Sequence, residues 1–378
     1  MTFGTLALVV AVGLAGPLLA AGRRSLVPVV VGELLAGVIV GRTGFRWINA
    51  SESGISFLGN VGFAAVMMMA GTHVPLHDRG LLGYLRRGAI AAALVAMLAV
   101  PIGIALAHGF GVHHDGVWVL LLATGSAAIV LPMLAEVALP SAVEMPLMAQ
   151  VTVADIATIA LVPLLLDPSR AGRTALGGLA VCVAAVGLAW LTIMLGRTAW
   201  MARMREQSVK RDWGLELRLS LLFLFTLAWL ATEVDTSVLV AGFAAGLIVA
   251  ARGEPHRLIG QLVGVVNGFL APLFFVVLGA QLDLRAVVHK PSTIVLAVAL
   301  VVGTALVHIV GAVSTRQPAG AGLVASAQLG VPAAVAAIGL QKAILTPAQA
   351  SAIMLAAVGT LGLACIGVAV LNARSVPD

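Results

Sequence analysis

This chain has little charge. Asp, Glu, Lys and Arg together supply 10% of its 378 residues, hydrophobic residues supply 61%, and mean hydropathy is +1.09. A soluble domain carries about 25% charged residues. The scarcity excludes a soluble globular protein and indicates a polytopic membrane protein with no stretch long enough for a soluble domain. A basic segment ahead of the first apolar run is also missing, so Phe3 to Ala21 reads as a first span rather than a signal peptide. Cysteine is nearly absent. Cys182 and Cys365 lie in apolar runs, read as small packing residues and say little about redox compartment. The formal net charge of +6 comes from loop arginines, which in such a chain report topology rather than nucleic-acid binding.

What is present is a series of apolar runs. A helix needs about 20 apolar residues to cross the hydrocarbon. Thirteen candidates lie near 3–22, 26–41, 54–72, 88–108, 116–135, 145–166, 174–196, 215–232, 236–251, 260–281, 292–313, 319–340 and 348–372, the second and ninth being short. Every connection is short except 197–214, "RTAWMARMREQSVKRDWG". Basic residues set orientation. With the N-terminus outside, only Arg42, Arg46, Arg170, Arg173, Arg285, Lys290 and Lys342 of the 22 fall on the outer side. The bias predicts N-out and C-in, with the 197–214 loop in the cytoplasm.

The chain also repeats. "LLAGVIVG" in the second span is echoed by "FAAGLIVA" in the ninth, and "AAVMMMAGTHVPL" in the third by "PLFFVVLGAQLDL" in the tenth. Gly37 pairs with Gly246 and Gly71 with Gly279, at nearly one offset. The expected organisation is a six-helix repeat over 1–166, a linker helix and cytoplasmic loop over 167–214, and a second repeat over 215–378. An odd number of spans separates the copies, so they run in opposite directions. Such inverted repeats build transporters with a site near the midplane.

Asp155, in "VTVADIATIALVP", lies about ten residues into the sixth span, near the bilayer centre. An acid there costs at least ~2.5 kcal/mol and needs a partner, water or a proton. A carboxylate so placed can hold either a proton or a metal cation; the alternative is a protonated Asp bonded to a neighbouring helix. In "LLATGSAAIVLP", Gly125 and Pro132 weaken the fifth span, and Thr124 and Ser126 offer hydroxyls beside freed carbonyls. Gly330 and Pro332 of "SAQLGVPAAVAAIG" can break the twelfth similarly, with Gln328 a secondary candidate. Broken helices supply oxygen ligands and dipoles to ions; small-residue packing is the alternative. His308, in the eleventh span, either pairs with or tunes Asp155, or is a neutral histidine bonded between helices. Glu33 is a secondary candidate and more simply a structural acid. His113, His114 and Asp115 share one short loop with no fourth ligand nearby and read as solvated. Met67, Met68 and Met69 read as core filling.

"VGELLAGVIVGRTG", "FLGNVGFAAVMMMAGTHVPL", "ATGSAAIVLPMLAE" and "APLFFVVLGAQLDL", in this order and spacing, resemble the cation:proton antiporter superfamily of sodium/hydrogen exchangers and potassium-efflux antiporters. The likeness covers almost the whole chain. It implies an all-α fold of about thirteen spans in two inverted repeats, with crossed discontinuous helices beside the ion site, a homodimer, and elevator-like movement of a core domain. The family's ion site is an adjacent pair in the sixth span. Asp155 matches its second position, while Ala154 departs from the acid or amide expected at the first. Arg42 stands where the second-span signature has proline. His308, with Gly311 three residues on, stands where many electrogenic members have lysine. Both core departures remove charge and weaken the case for electrogenic exchange; with one carboxylate, one monovalent cation against one proton is the simplest stoichiometry. The "GE" pair of efflux members is replaced by "QLGVP", and no nucleotide-binding domain is expected after residue 372.

The expected function is therefore a secondary antiporter exchanging sodium or potassium for protons, in a bacterial inner membrane. Cation and proton compete at Asp155, Thr124 and Ser126 complete the coordination, His308 tunes the site, and no cofactor is needed beyond the transported ions. Rival readings are a sodium-coupled organic-anion symporter of similar architecture and a transport-inactive membrane sensor. An intramembrane aspartyl protease needs two close aspartates, and no second span supplies one.

Overall fold

The computed structural model describes residues 2–21, 29–72, 81–110, 114–135, 139–166, 171–234, 236, 238–252, 256–282, 285 and 290–375. Their regular structure is helical throughout. The order is α1 (Phe3–Gly13), α2 (Ala15–Ala20), α3 (Val29–Val40), α4 (Ser53–Thr72), α5 (Leu81–Gly109), α6 (Asp115–Ala123), α7 (Ala127–Ala135), α8 (Ser141–Leu166), α9 (Ala171–Gly196), α10 (Ala199–Lys210), α11 (Leu215–Glu233) and α12 (Val238–Ala250). Then come α13 (His256–Val265), a π-turn at Val266–Leu270, α14 (Ala271–Gln281), α15 (Pro291–Ser314), α16 (Ala319–Ala325), α17 (Gly330–Gln341) and α18 (Pro347–Ser375).

Among the described residues ten helical stretches are long and apolar enough to cross a membrane, against thirteen expected. The difference has local causes. The second and ninth candidates form regular helix only over Val29–Val40 and Val238–Ala250, too short for that length criterion. The fifth is divided into α6 and α7. The 197–214 connection is not a plain loop either, since most of it is α10. Thr198 opens that helix by accepting a hydrogen bond from the Met201 amide at 3.3 Å, satisfying one orphan donor of the first turn. Lys210 and Glu206 close it with an i,i+4 ion pair at 2.6 Å.

The chain divides into two compact units. The first comprises Met1–Ile55, Arg79–Pro168 and Phe275–Asp378. In it α5 packs on α6 and α8, and α15 packs on α5, α16 and α18. Small residues let helices touch at the backbone. Gly37 of α3 and Gly279 of α14 do this: a Cβ on Gly279 would lie 3.1 Å from Gly37 Cα and clash with the Leu34 carbonyl. The second unit comprises Ser56–Asp78 and Ser169–Phe274. In it α9 packs on α11 and α12. There Gly246 of α12 meets Gly71 of α4, where a Cβ on Gly246 would lie 2.7 Å from Gly71 Cα. The two glycine pairs matched in sequence are thus each split between two contacts of the same kind, one in each unit. Met67, Met68 and Met69 are buried as expected. Cys182 differs from expectation: it is exposed on α9, whose outward face carries Leu179, Val183, Val186 and Trp190. Such an apolar exterior suits lipid, which offers no hydrophobic gain to hiding it.

Candidate functional site

The two breaks define the site, which lies wholly within the first unit. Helix α6 stops at Ala123 and α7 restarts at Ala127, leaving Thr124, Gly125 and Ser126 outside regular helix. Thr and Ser compete for backbone groups and Gly adds freedom, so this triplet suits an interruption. Helix α16 stops at Ala325 and α17 restarts at Gly330. Both interruptions fall before the prolines rather than at them. Pro332 is the third residue of α17, in the first turn, where its missing N–H would find no intrahelical partner anyway. Pro132 sits within α7.

The interrupted segments meet. The Ser126 amide donates to the Ala327 carbonyl at 2.8 Å. A Cβ on Gly125 would lie 2.8 Å from the Ala325 carbonyl oxygen, so only glycine permits this approach. Crossed, discontinuous helices are thereby present. Helix α8 packs against α6, α7, α16 and α17.

Asp155 projects from α8 to the restart of the first broken helix. Its Oδ2 accepts a hydrogen bond from the Ala127 amide at 2.9 Å, and the residue is 5% exposed. Ala127 is the first residue of α7, so the carboxylate sits where orphan amides and the helix dipole favour negative charge. Ala154 beside it is buried and offers only its backbone.

Thr158 is a site residue that the sequence reading missed. Its hydroxyl lies 3.0 Å from Thr124 Oγ1 and within bonding distance of the Ala154 and Asp155 carbonyls, at 2.8 and 3.1 Å. The signal was available: on a helix, residues 154 and 158 share a face. Thr124 reaches the site through Thr158 and the Gly125 carbonyl, the latter at 3.3 Å. Ser126 contributes its backbone to the crossing and is buried.

His308 stands on α15, 1% exposed, against the backbone of Leu122 and Thr124 at the end of α6. Its ring nitrogens face those backbone groups without a well-aligned hydrogen bond, and no ion pair joins it to Asp155. Direct pairing, one of the alternatives for His308, is not formed in the structure, because the two residues address opposite helix ends. Asp155 meets the start of α7; His308 meets the finish of α6. Gln328, in the second break, donates from Nε2 to Thr304 Oγ1 at 3.4 Å, and its buried Oε1 has no partner. Thr304 is one turn from His308 on α15, and all three side chains are buried.

Glu33 is buried on α3 with its side chain against α2: a Cβ on Gly16 would lie 2.7 Å from Glu33 Cγ. His113 lies outside the described residues. His114 precedes α6 with a positive φ of 65°. No group of three or more metal-ligating side chains occurs among the described residues.

The sequence profile of the family described as "Sodium/hydrogen exchanger, transmembrane" matches residues 7–373. The chain is 22% identical over 374 residues to YjbQ of Bacillus subtilis, named as a candidate Na(+)/H(+) antiporter, covering 94% of this chain and 60% of that one. It is 28% identical over 280 residues to the glutathione-regulated potassium-efflux system protein KefC of Enterobacter, covering 71% of this chain and 43% of that one. It therefore spans about half the length of these curated relatives. The sodium proton antiporter MjNhaP1 from Methanocaldococcus jannaschii shares the fold, with a TM-score of 0.66 at 15% identity over 98% of this chain and 96% of that one. With a profile match running nearly end to end, this chain belongs to the transmembrane sodium/hydrogen exchanger family.

Proposed function

We propose that this chain is a secondary antiporter that exchanges a monovalent cation, sodium or potassium, for protons. One observation carries the reading: a buried carboxylate, Asp155, capping the restart of a broken helix. The Ala127 amide uses one of the roughly four acceptor positions of a carboxylate, leaving positions for a proton or a cation in turn. Hydroxyls of Thr124 and Thr158 and the Ser126 segment are the remaining oxygen ligands in this reading. In this reading His308 acts from the other side of the break, packed against the backbone at the end of α6. It tunes the site through the broken helix without touching Asp155. Glu33 is structural and Gln328 supports Thr304.

The same reading includes two inverted six-helix repeats, supported by the matched glycine contacts and matched breaks. It also includes thirteen crossings with the N-terminus outside and the C-terminus in the cytoplasm, a bacterial inner membrane, a homodimer and elevator-type movement. Proteoliposomes test the exchange. Sodium or potassium added to vesicles holding a pH gradient dissipates it with the native chain, and Asp155→Asn abolishes the response; a persisting response refutes the assignment.

Ala154 favours a second reading, a transport-inactive sensor, because it removes the family's usual partner. Cation-dependent thermal stabilisation that Asp155→Asn abolishes shows ion binding at Asp155 and argues against that reading.

A further inference from the structure

The first unit contains a cavity of about 540 Å³ whose lining includes none of Thr124, Ser126, Asp155, Thr158 or His308. It lies between the starts of α5 and α8 and the turn after α15, with Arg87, Ile90, Met145, Gln150, Thr315 and Gln317 in its wall. The polar groups are graded. Gln150 is 5% exposed, and Gln317 Oε1 is fully enclosed without a partner while its Nε2 donates to the Ala142 carbonyl at 3.3 Å. At the lip Ile90 and Met145 are exposed apolar side chains. Arg87 is exposed there too, and the exposed Arg86 and Arg316 adjoin the wall in sequence.

We propose that this cavity binds the headgroup of an anionic phospholipid, phosphatidylglycerol. The reasoning is chemical. An arginine beside a cavity mouth repels cations and pairs with phosphate. Basic pockets between helices at a membrane surface take anionic lipid headgroups. The exposed Arg87 at the mouth favours a headgroup of net negative charge, which phosphatidylglycerol carries and a zwitterionic headgroup does not. The apolar lip at Ile90 and Met145 gives the acyl chains a path outward, which a free phosphate would leave unused. Gln150 lies on α8, five residues before Asp155 and about 7.5 Å along the axis, so the lipid braces the helix that carries the ion site. Binding itself does not depend on the transport assignment.

Native mass spectrometry of the full chain in detergent tests this, with phosphatidylglycerol, phosphatidylethanolamine and phosphatidylcholine offered in equal amounts. Phosphatidylglycerol adducts are expected to exceed the others about fivefold, the effect of one basic side chain on an anionic lipid. Arg87→Ala and the cavity-filling Met145→Trp each bring them down to the phosphatidylcholine level. One variant keeps the shape and the other keeps the charge, so either decides if its companion fails to fold. Equal adducts for the three lipids, phosphatidylethanolamine retained as strongly as phosphatidylglycerol, unchanged adducts in both variants, or displacement by excess inorganic phosphate would each overturn the proposal.

Discussion

The amide of Ala127 donates to Oδ2 of Asp155 at 2.9 Å, joining the sixth apolar run of the sequence to the break in the fifth. Both residues are buried. A side chain that keeps an acceptor should hold this joint, and one that loses it should not. Asp155→Asn retains a carbonyl oxygen; Asp155→Ala strands a buried N–H, at roughly 1–3 kcal/mol. Thermal melting of the purified chain should therefore rank Asp155→Ala below Asp155→Asn. Equal melting temperatures would mean that the joint does not stabilise the crossing.

Thr158 gives a sharper test of the site, because it acts through a hydroxyl alone. Thr158→Val preserves shape and removes the bond to Thr124 Oγ1. The cation KM should rise by roughly tenfold, within the 1–3 kcal/mol of an unsatisfied buried partner. Thr158→Ser should restore it. If the serine variant behaves like valine, the methyl group and not the hydroxyl matters.

The glycine contacts predict paired effects in the two units. A Cβ on Gly37 would clash with the Val276 carbonyl and one on Gly246 with the Met68 carbonyl. Gly37→Ala and Gly246→Ala should each destabilise by about 1–3 kcal/mol through overpacking. A Cβ on Gly187 meets nothing within 4 Å, so Gly187→Ala serves as the neutral control. Melting curves that do not separate the first two variants from the third would count against close backbone packing.

His308 is enclosed, and neither ring nitrogen makes a well-aligned hydrogen bond. Replacing such a group by an apolar side chain of similar size is nearly neutral or stabilising. His308→Leu should thus keep or raise the melting temperature while shifting the pH profile of exchange. A shifted melting temperature with an unchanged profile would assign His308 to packing.

How much of this could be read from residues alone follows from the kind of signal each left. Asp155 was legible because a charge inside an apolar run has no bland explanation at low cost. The matched glycines were legible as a repeat, and only the structure shows that each lies at a close backbone contact. The breaks were legible at Gly125, with Thr124 and Ser126, and beside Gly330. Pro132 and Pro332, named with them, lie beyond the interruptions and inside α7 and α17, and the partner that Ser126 finds in Ala327 is visible only in the fold. Thr158 was overlooked because a hydroxyl in an apolar helix usually bonds its own preceding turn, and only the fold brings Thr124 beside it. Helix α10 was hidden by its polarity, since its inward positions Met201, Met204 and Ser208 form too narrow a stripe to stand out. Cys182 shows the reverse error: in a membrane an apolar neighbourhood in sequence does not imply burial against protein.

The most direct test of the account is reconstituted exchange across a panel of alkali cations at several pH values, with Asp155→Asn as the control. One carboxylate shared by cation and proton means competition. Lowering the pH by one unit should raise the apparent cation KM, by up to about tenfold where the proton-bound form dominates, with the maximal rate little changed. The Asp155→Asn chain should show no cation-driven proton movement at any pH. A cation KM independent of pH, or exchange that survives Asp155→Asn, would contradict it.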